Sequence, residues 1–423
     1  MADTIDLPQD DVRILRELGE WKARKAESAE NREKIAAWKA HDAGTPGARV
    51  MVLAETWYTE DGVHPVTDSD LRCKHEWGRW IERGLRQLQY EIEVLRDDHF
   101  ALPWIEYSPN VWASDFGVPL GIHRSAHGAT AFNITDAQLT TLSDAELARL
   151  RARTFHHDPA AEARDRATLE KVFGGILGVR RRNNGWQMHA PITSTCIFLT
   201  GLDHFMTLMY DNPEGLHRLM AFLRDDQLSR LRYFEENGLL ELNNEADYTG
   251  SGCMGTSDRL PAKDYAGNAR FKDMWGFIEA QEAVGISPEQ YGEFVWPYLR
   301  ELALKFGQVY YGCCEPVDPV WEYVGALPNL ARVSVSPWAD EEKMGRCCRD
   351  RGVVYSRKPS PNYYIGEKLD EAGMRASLEK TVACTEGCRM EFIQRDVMTT
   401  RGDLGRFVRW VELAREIGVT HKG

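Results

Sequence analysis

Residues 287–337, SPEQYGEFVWPYLRELALKFGQVYYGCCEPVDPVWEYVGALPNLARVSVSP, set out the architecture in miniature. Ser287-Pro288 opens a run with apolar residues at helical spacing, and Gly307 closes it, which are the start and stop signals of a helix. QVYYGCCEP then reads as a short buried strand, halted by Gly312 and Pro316. A further helix over DPVWEYVGALPNL leads into LARVSVSP, a second strand. Two strands separated by a helix lie parallel, because a crossover of that length returns the chain to the same end of the sheet.

The same rhythm extends in both directions. Downstream, VVYSRKP and RMEFIQRDV read as strands, each followed by a helix. Upstream, RVMVLAET (49–56), HFALPWIEY (99–107) and LELNNEADYTG (240–250) read as strands, and MHAPITSTCIFL as strand and loop. DLRCKHEWGRWIERGLRQLQYEIEVLRDD (70–98) is an amphipathic helix, and PEGLHRLMAFLRDDQLSRLRYFEENG is another. About eight strands alternating with helices predict an α/β fold of the (β/α)8 TIM-barrel type. The barrel spans 46–423, residues 1–45 form an N-terminal helical extension, and the His- and Gly-rich stretch 108–165 is a lid-like insertion. Neither GxGxxG nor GxxxxGK[ST] occurs, which argues against a nucleotide-binding sheet.

The chain is 43% hydrophobic and 28% charged, with a formal net charge of −13. That balance excludes a phosphate-tracking nucleic-acid surface, which needs clustered Lys and Arg. No apolar run reaches the roughly 20 residues that span a bilayer. MADTIDLPQDDVRILRELGEW lacks a signal-peptide pattern, so the expected location is cytoplasmic, where thiols stay reduced. The nine cysteines include no CxxC pair, which removes zinc ribbons and thioredoxin motifs. Cys347-Cys348 falls within a helix, where neighbours point apart, and reads as structural.

In a barrel the strand ends converge on one mouth. Those ends carry Glu55, Tyr107, His189, Glu245, Asp247, Tyr248, Gln281, Glu282, Cys313, Cys314, Glu315, Ser336, Trp338, Arg357, Lys358 and Asp396. So acidic a set requires protonated carboxyls, a bound cation or a cationic substrate. Successive strand residues face opposite ways, so one of Cys313 and Cys314 is expected to face the mouth, as ligand or nucleophile, with a small buried hydrophobe as the alternative. Arg357-Lys358 is a basic pair that can clamp a carboxylate or phosphate, or pair with the site's own acids.

LRDDHFALPWIEY, LNNEADYTGSG, YYGCCEPVDPVWEY, LARVSVSPWAD and VVYSRKPSP together resemble the uroporphyrinogen decarboxylase superfamily, in its decarboxylase-like and corrinoid:thiol methyltransferase branch. The likeness runs from about residue 49 onward and implies the same barrel. True uroporphyrinogen decarboxylases carry Arg-Gln-Ala-Gly-Arg after the first strand. Here Ala54-Glu55-Thr56-Trp57-Tyr58 stands there, so a porphyrin substrate is not implied. The methyltransferase branch binds zinc through His-x-Cys at a strand end and a later Cys. Tyr311-Gly312-Cys313 keeps only the first Cys, and RDVMTTRGD has none. Zinc would then draw on Cys313, Cys314 and His189, with carboxylates completing its shell.

The expected activity is methyl transfer between a small substrate or thiol and a corrinoid on a separate protein, assisted by zinc. Glu245, Asp247, Tyr248, Glu315 and Asp396 are the catalytic candidates. Glu55, Trp57, Tyr107, Gln281, Arg357 and Lys358 are the substrate-binding ones, and a homodimer fits the same reading. The alternatives are a metal-free decarboxylase or lyase on a small carboxylic acid, held by Arg357 and Lys358, and a non-catalytic binding protein.

Overall fold

The computed structural model describes residues 3–56, 63–124, 130–131, 136–182 and 188–421. Eight strands organise it: β1 (Met51–Ala54), β2 (Trp104–Tyr107), β3 (Gly178–Arg181), β4 (Trp275–Ile278), β5 (Gln308–Tyr311), β6 (Leu330–Val335), β7 (Val354–Arg357) and β8 (Met390–Gln394). Six of them form one sheet in the order β1-β8-β7-β6-β5-β4, every pair parallel. From β4 to β8 each strand lies beside its predecessor, so the sheet winds in one direction. That is the barrel's winding, not that of a sheet whose order reverses midway.

The expected α/β fold with a parallel sheet is present, and the ladder does not close into a barrel among the described residues. β2 and β3 pair only with each other, as a separate parallel sheet. Side chains do at the edges what neighbouring strands would otherwise do. On β1 the Val52 and Ala54 amides donate to Asp98 Oδ2 at 2.7 Å and Asp97 Oδ2 at 3.0 Å. Burial acts against the Asp98 charge, but Arg49 and Arg415 outweigh it and draw its pKa down. On β4 the Asn243 amide takes both backbone groups of Trp275, at 2.9 and 3.2 Å. Asn244 likewise donates to the carbonyls of Ser257 and Leu260.

These Asn bonds explain a second departure. The strand expected over 240–250 is reduced to Tyr248–Gly250, paired antiparallel with Cys253–Met254, because Asn side chains compete for the backbone groups a ladder would use. MHAPITSTCIFL is also not a strand and loop. Only His189 bridges to Phe277, and Ile192–Thr200 is a helix with Ile192, Cys196, Ile197 and Leu199 fully buried. Burial on all sides overrides the β-branched preference of its Ile and Thr residues.

Alternation sorts the sheet into two faces. Val52, Val309, Tyr311, Val333, Val335, Tyr355 and Phe392 face the helices within the main core. Met51, Leu53, Tyr310 and Ile393 face the other way, against Trp38 and Phe100. Trp38 belongs to Ala29–Ala43, the second of two N-terminal helices after Gln9–Ala26. The extension is therefore part of the body, since Trp38 is fully buried and donates to Asp98 O. Asp42, from the same helix, reaches the fully buried Arg332 of β6. The 108–165 stretch is anchored as well, with Phe116, Val118, Leu139 and Leu142 in the core and Arg153 paired with Asp226. No single described helix is long and apolar enough to cross a membrane.

Candidate active site at the strand ends

β5 ends at Gly312, whose φ of +91° turns the chain sharply enough to bring both following cysteines to the strand ends. A Cβ there would stand 3.2 Å from Val317 and 3.3 Å from Ser334. Glu315 locks the turn: Cys313 N donates to its Oε2 at 2.8 Å and Ala280 N to its Oε1 at 3.0 Å. Ser334 of β6 holds the Cys313 carbonyl at 2.7 Å. The thiols thus sit on backbone fixed from three neighbouring strands.

The cation of this mouth is Arg395, the residue after β8. Its Nε lies 3.2 Å from Glu55 Oε2 and 3.6 Å from Asp396 Oδ1. Its Nη1 donates to Ser251 Oγ at 2.7 Å and to Cys313 Sγ at 3.4 Å. Burial works against the guanidinium charge, yet Glu55, Tyr248, Cys313 and Asp396 hold it well above the ordinary range. Two of its partners have left-handed backbone, Ser251 at φ +44° and Asp396 at φ +58°. Such conformations cost non-glycine residues of order 1–3 kcal/mol and cluster at functional sites.

Cys314 Sγ lies 3.6 Å from Cys313 Sγ and donates to Asp396 Oδ2 at 3.4 Å. The Cys313 contact, burial and the Asp396 charge push its pKa up, so it keeps its proton. Tyr248 borders the cluster with a partly exposed ring, its hydroxyl accepting from Gly252 N at 3.0 Å and bonding Glu55. Burial raises the Glu55 carboxyl despite Arg395.

A second group of acids adjoins it through Glu315. Glu279 is raised to about 8 by burial and by Glu315, and Glu282 is raised by burial and by Glu279. Glu315 is raised too, by burial. His189 Nε2 lies 3.1 Å from Glu279 Oε1, and burial followed by Arg230 lowers the imidazole to about 3. Both groups are uncharged at neutral pH, so theirs is a hydrogen bond and not an ion pair. Thr193 donates to Glu282 at 2.8 Å, and the half-buried Gln281 donates its backbone N–H to Glu279 Oε2 at 2.9 Å.

The remaining candidates lie elsewhere. Arg357 has the parity of Tyr355 and points to the helix side, where Glu341 takes it at 3.2 Å. Lys358 faces inward, with Nζ 2.6 Å from Tyr310 Oη and 2.7 Å from Ser356 Oγ, and burial lowers it to about 8. Glu245 and Asp247 form a third group around Arg182, at 3.1 and 2.5 Å. Burial brings Asp247 up to about 7 against the pull of Arg182. This group borders a cavity of about 520 Å³ lined by Arg180, Arg181, Arg182, Asn244, Ser257 and Lys39. Tyr107 ends β2 in the smaller sheet, and Trp57 falls outside the described residues.

Arg395 and Glu279 went unread in the sequence. Each adjoins or lies near a residue that was read, Asp396 for the first and Gln281 for the second, and a count of charges at strand ends finds both.

The expected zinc set is not assembled: among the described residues no three His, Cys, Asp or Glu side chains are disposed to hold a metal ion. His189 is turned to Glu279, and a guanidinium nitrogen stands against Cys313 Sγ. The acidity foreseen at the mouth is met by Arg395 and by raised carboxyl pKa values.

No family model matches the sequence, and no curated protein matches it. Among solved structures, a methyltransferase from Methanosarcina mazei is similar over 90% of this chain and 98% of its own, with 13% identity and a TM-score of 0.48. At that score and identity the likeness carries no inference about reaction or substrate.

Proposed function

We propose that the chain is a methyltransferase in which the Cys313 sulfur meets the methyl carbon. One observation carries the reading: Cys313 Sγ accepts a 3.4 Å contact from Arg395 Nη1 at the strand ends, on backbone pinned by Glu315 and Ser334. A sulfur held on fixed backbone within reach of a guanidinium is positioned for nucleophilic attack. As the sulfur–carbon bond forms, the Cys313 thiol proton passes to solvent, the bond from donor to methyl breaks and its electron pair leaves with the donor. Cys314 and Asp396 hold a proton beside the reacting sulfur. The described residues do not form a zinc set, so Arg395 has the cationic role and no step runs through a metal.

A corrinoid on a separate protein is the donor or acceptor class that the resemblance of YYGCCEP and its neighbouring segments suggests. Free methylcobalamin serves as the probe. The expected result is loss of the methyl-corrinoid spectrum and one methyl on the 306–332 tryptic peptide, or on an added small thiol. Cys313→Ser should slow this by about a thousandfold or more. A Cys313→Ser variant that works at the parent rate would falsify the assignment.

A different observation favours a second reading, a metal-free decarboxylase or lyase on a small carboxylic acid. In this reading Asp247, near 7 and held by Arg182 of the cavity wall, moves the proton. Arg357, engaged by Glu341, is not the clamp in this version; Arg180, which lines the cavity with a half-exposed side chain and only a 3.8 Å contact to Glu245, is. Asp247→Asn should then abolish turnover that Cys313→Ser leaves intact.

A further inference from the structure

Two pairs of adjacent cysteines occur in the chain, and the structure treats them differently. Cys347 and Cys348 lie within the helix Glu341–Arg351, where Cys348 is buried and Cys347 half-buried. Cys313 and Cys314 lie on turned backbone after Gly312, their sulfurs 3.6 Å apart. Around that second pair each sulfur has its own partner: Arg395 Nη1 for Cys313 and Asp396 Oδ2 for Cys314.

We propose that Cys313 and Cys314 form a redox-active dithiol that hydroperoxides convert to a vicinal disulfide, a modification that does not depend on methyl transfer. Cys313 sulfur attacks one peroxide oxygen, so a sulfur–oxygen bond forms and the oxygen–oxygen bond breaks. The oxygen that leaves takes a proton and departs as alcohol, or as water when the oxidant is hydrogen peroxide. Cys313 is then a sulfenic acid. Cys314 sulfur attacks it next, the sulfur–sulfur bond forms, and hydroxide leaves as water with the Cys314 proton. Two thiols lose two electrons and two protons, and one hydroperoxide is reduced to alcohol and water.

The surroundings suit the two roles. Arg395 steadies negative charge on the attacking sulfur and on the departing oxygen. Cys314 keeps its proton until the second bond forms, when Asp396, its acceptor at 3.4 Å, relays it to the departing hydroxide, which leaves as water. Reversal is built in. Neighbouring Cα atoms across a trans peptide are about 3.8 Å apart, below the roughly 4.4–6.8 Å that unstrained disulfides span, so small thiols should reduce this one readily.

The test treats the full chain with a stoichiometric amount of hydrogen peroxide, alkylates the remaining thiols and maps tryptic peptides. Peptide 306–332 contains Cys313 and Cys314 as its only cysteines. The expected result is the loss of both thiols there as an internal disulfide, restored by dithiothreitol, while Cys347 and Cys348 stay free. Cys314→Ser should stop at a dimedone-reactive sulfenic acid on Cys313. Arg395→Gln should slow the oxidation about tenfold. Disulfide formation at Cys347-Cys348 first, or oxidation of Cys313 straight to the sulfinic acid in the parent chain, would overturn the proposal. The readout is thiol state, so it stands or falls separately from methyl transfer.

Discussion

Two arginines, each buried among acids, divide the labour of this molecule. Arg332, on β6, is fully buried with Asp42 at 3.3 Å and Glu391 at 3.5 Å. It also donates to Cys253 Sγ and to Met254 O. Arg395, at the mouth, sits among Glu55, Asp396 and Cys313. Around Arg332 the acids are drawn down: Asp42 falls to about 2 through Arg259 and Arg332 against the cost of burial, and Glu391 falls through Arg332. At the mouth Glu55, Glu279, Glu282 and Glu315 are all driven up by burial. In the inner site the charges are paired with one another and committed to the fold. The mouth holds protons, strained backbone and two thiols in reserve, which is the state chemistry needs.

The largest expected effect separates the two arginines by stability. Arg332→Met leaves Asp42 and Glu391 buried with reduced compensation and should cost about 3–5 kcal/mol in urea unfolding. Arg395→Met should cost under about 2 kcal/mol, because Glu55 can take up a proton instead. Equal losses would erase the contrast.

The pH dependence separates the acids. Glu279, at about 8 when folded against an ordinary 4.5, stabilises fully below 4.5 and loses that contribution as pH rises through 8. The slope is at most about 1.4 kcal/mol per pH unit. Asp42, at about 2 against 3.8, stabilises above 3.8 and loses its contribution as pH falls through 2. Thermal melts of Glu279→Gln should therefore show a shallower decline between pH 5 and 8 than the parent and keep the acid one. An unchanged decline from pH 5 to 8 would show that Glu279 carries no excess proton.

The smallest effect concerns the backbone. Asp396→Gly relieves a left-handed residue, worth about 1 kcal/mol, and should speed alkylation of Cys314 by iodoacetamide, because the carboxylate that keeps that thiol protonated is gone. A variant both less stable and equally reactive would remove Asp396 from the site.

Much of this was legible from residues alone. Apolar strand runs bounded by Gly and Pro located the parallel strands, and strand-end logic collected Glu55, Cys313, Cys314, Glu315 and Asp396 in advance. Parity was the unused signal: Arg357 shares its face with Tyr355, and Arg332 shares its face with Ser334, which separates a helix-facing arginine from an inward one. The helix at Ile192–Thr200 was not legible, because its residues favour strands and only surrounding packing makes them helical. Nor was the open ladder, since nothing in the sequence of Asp97, Asp98 or Asn243 says that their side chains take the place of a strand.

That substitution at the sheet edges has a consequence for assembly. A parallel sheet with two bare margins would invite a strand from another molecule. Here carboxylates and an asparagine amide take backbone groups that such a strand would need, and β1 is itself buried with the Asp98 N–H on the Val52 carbonyl at 2.9 Å, so the β1 margin offers a foreign strand neither free groups nor access.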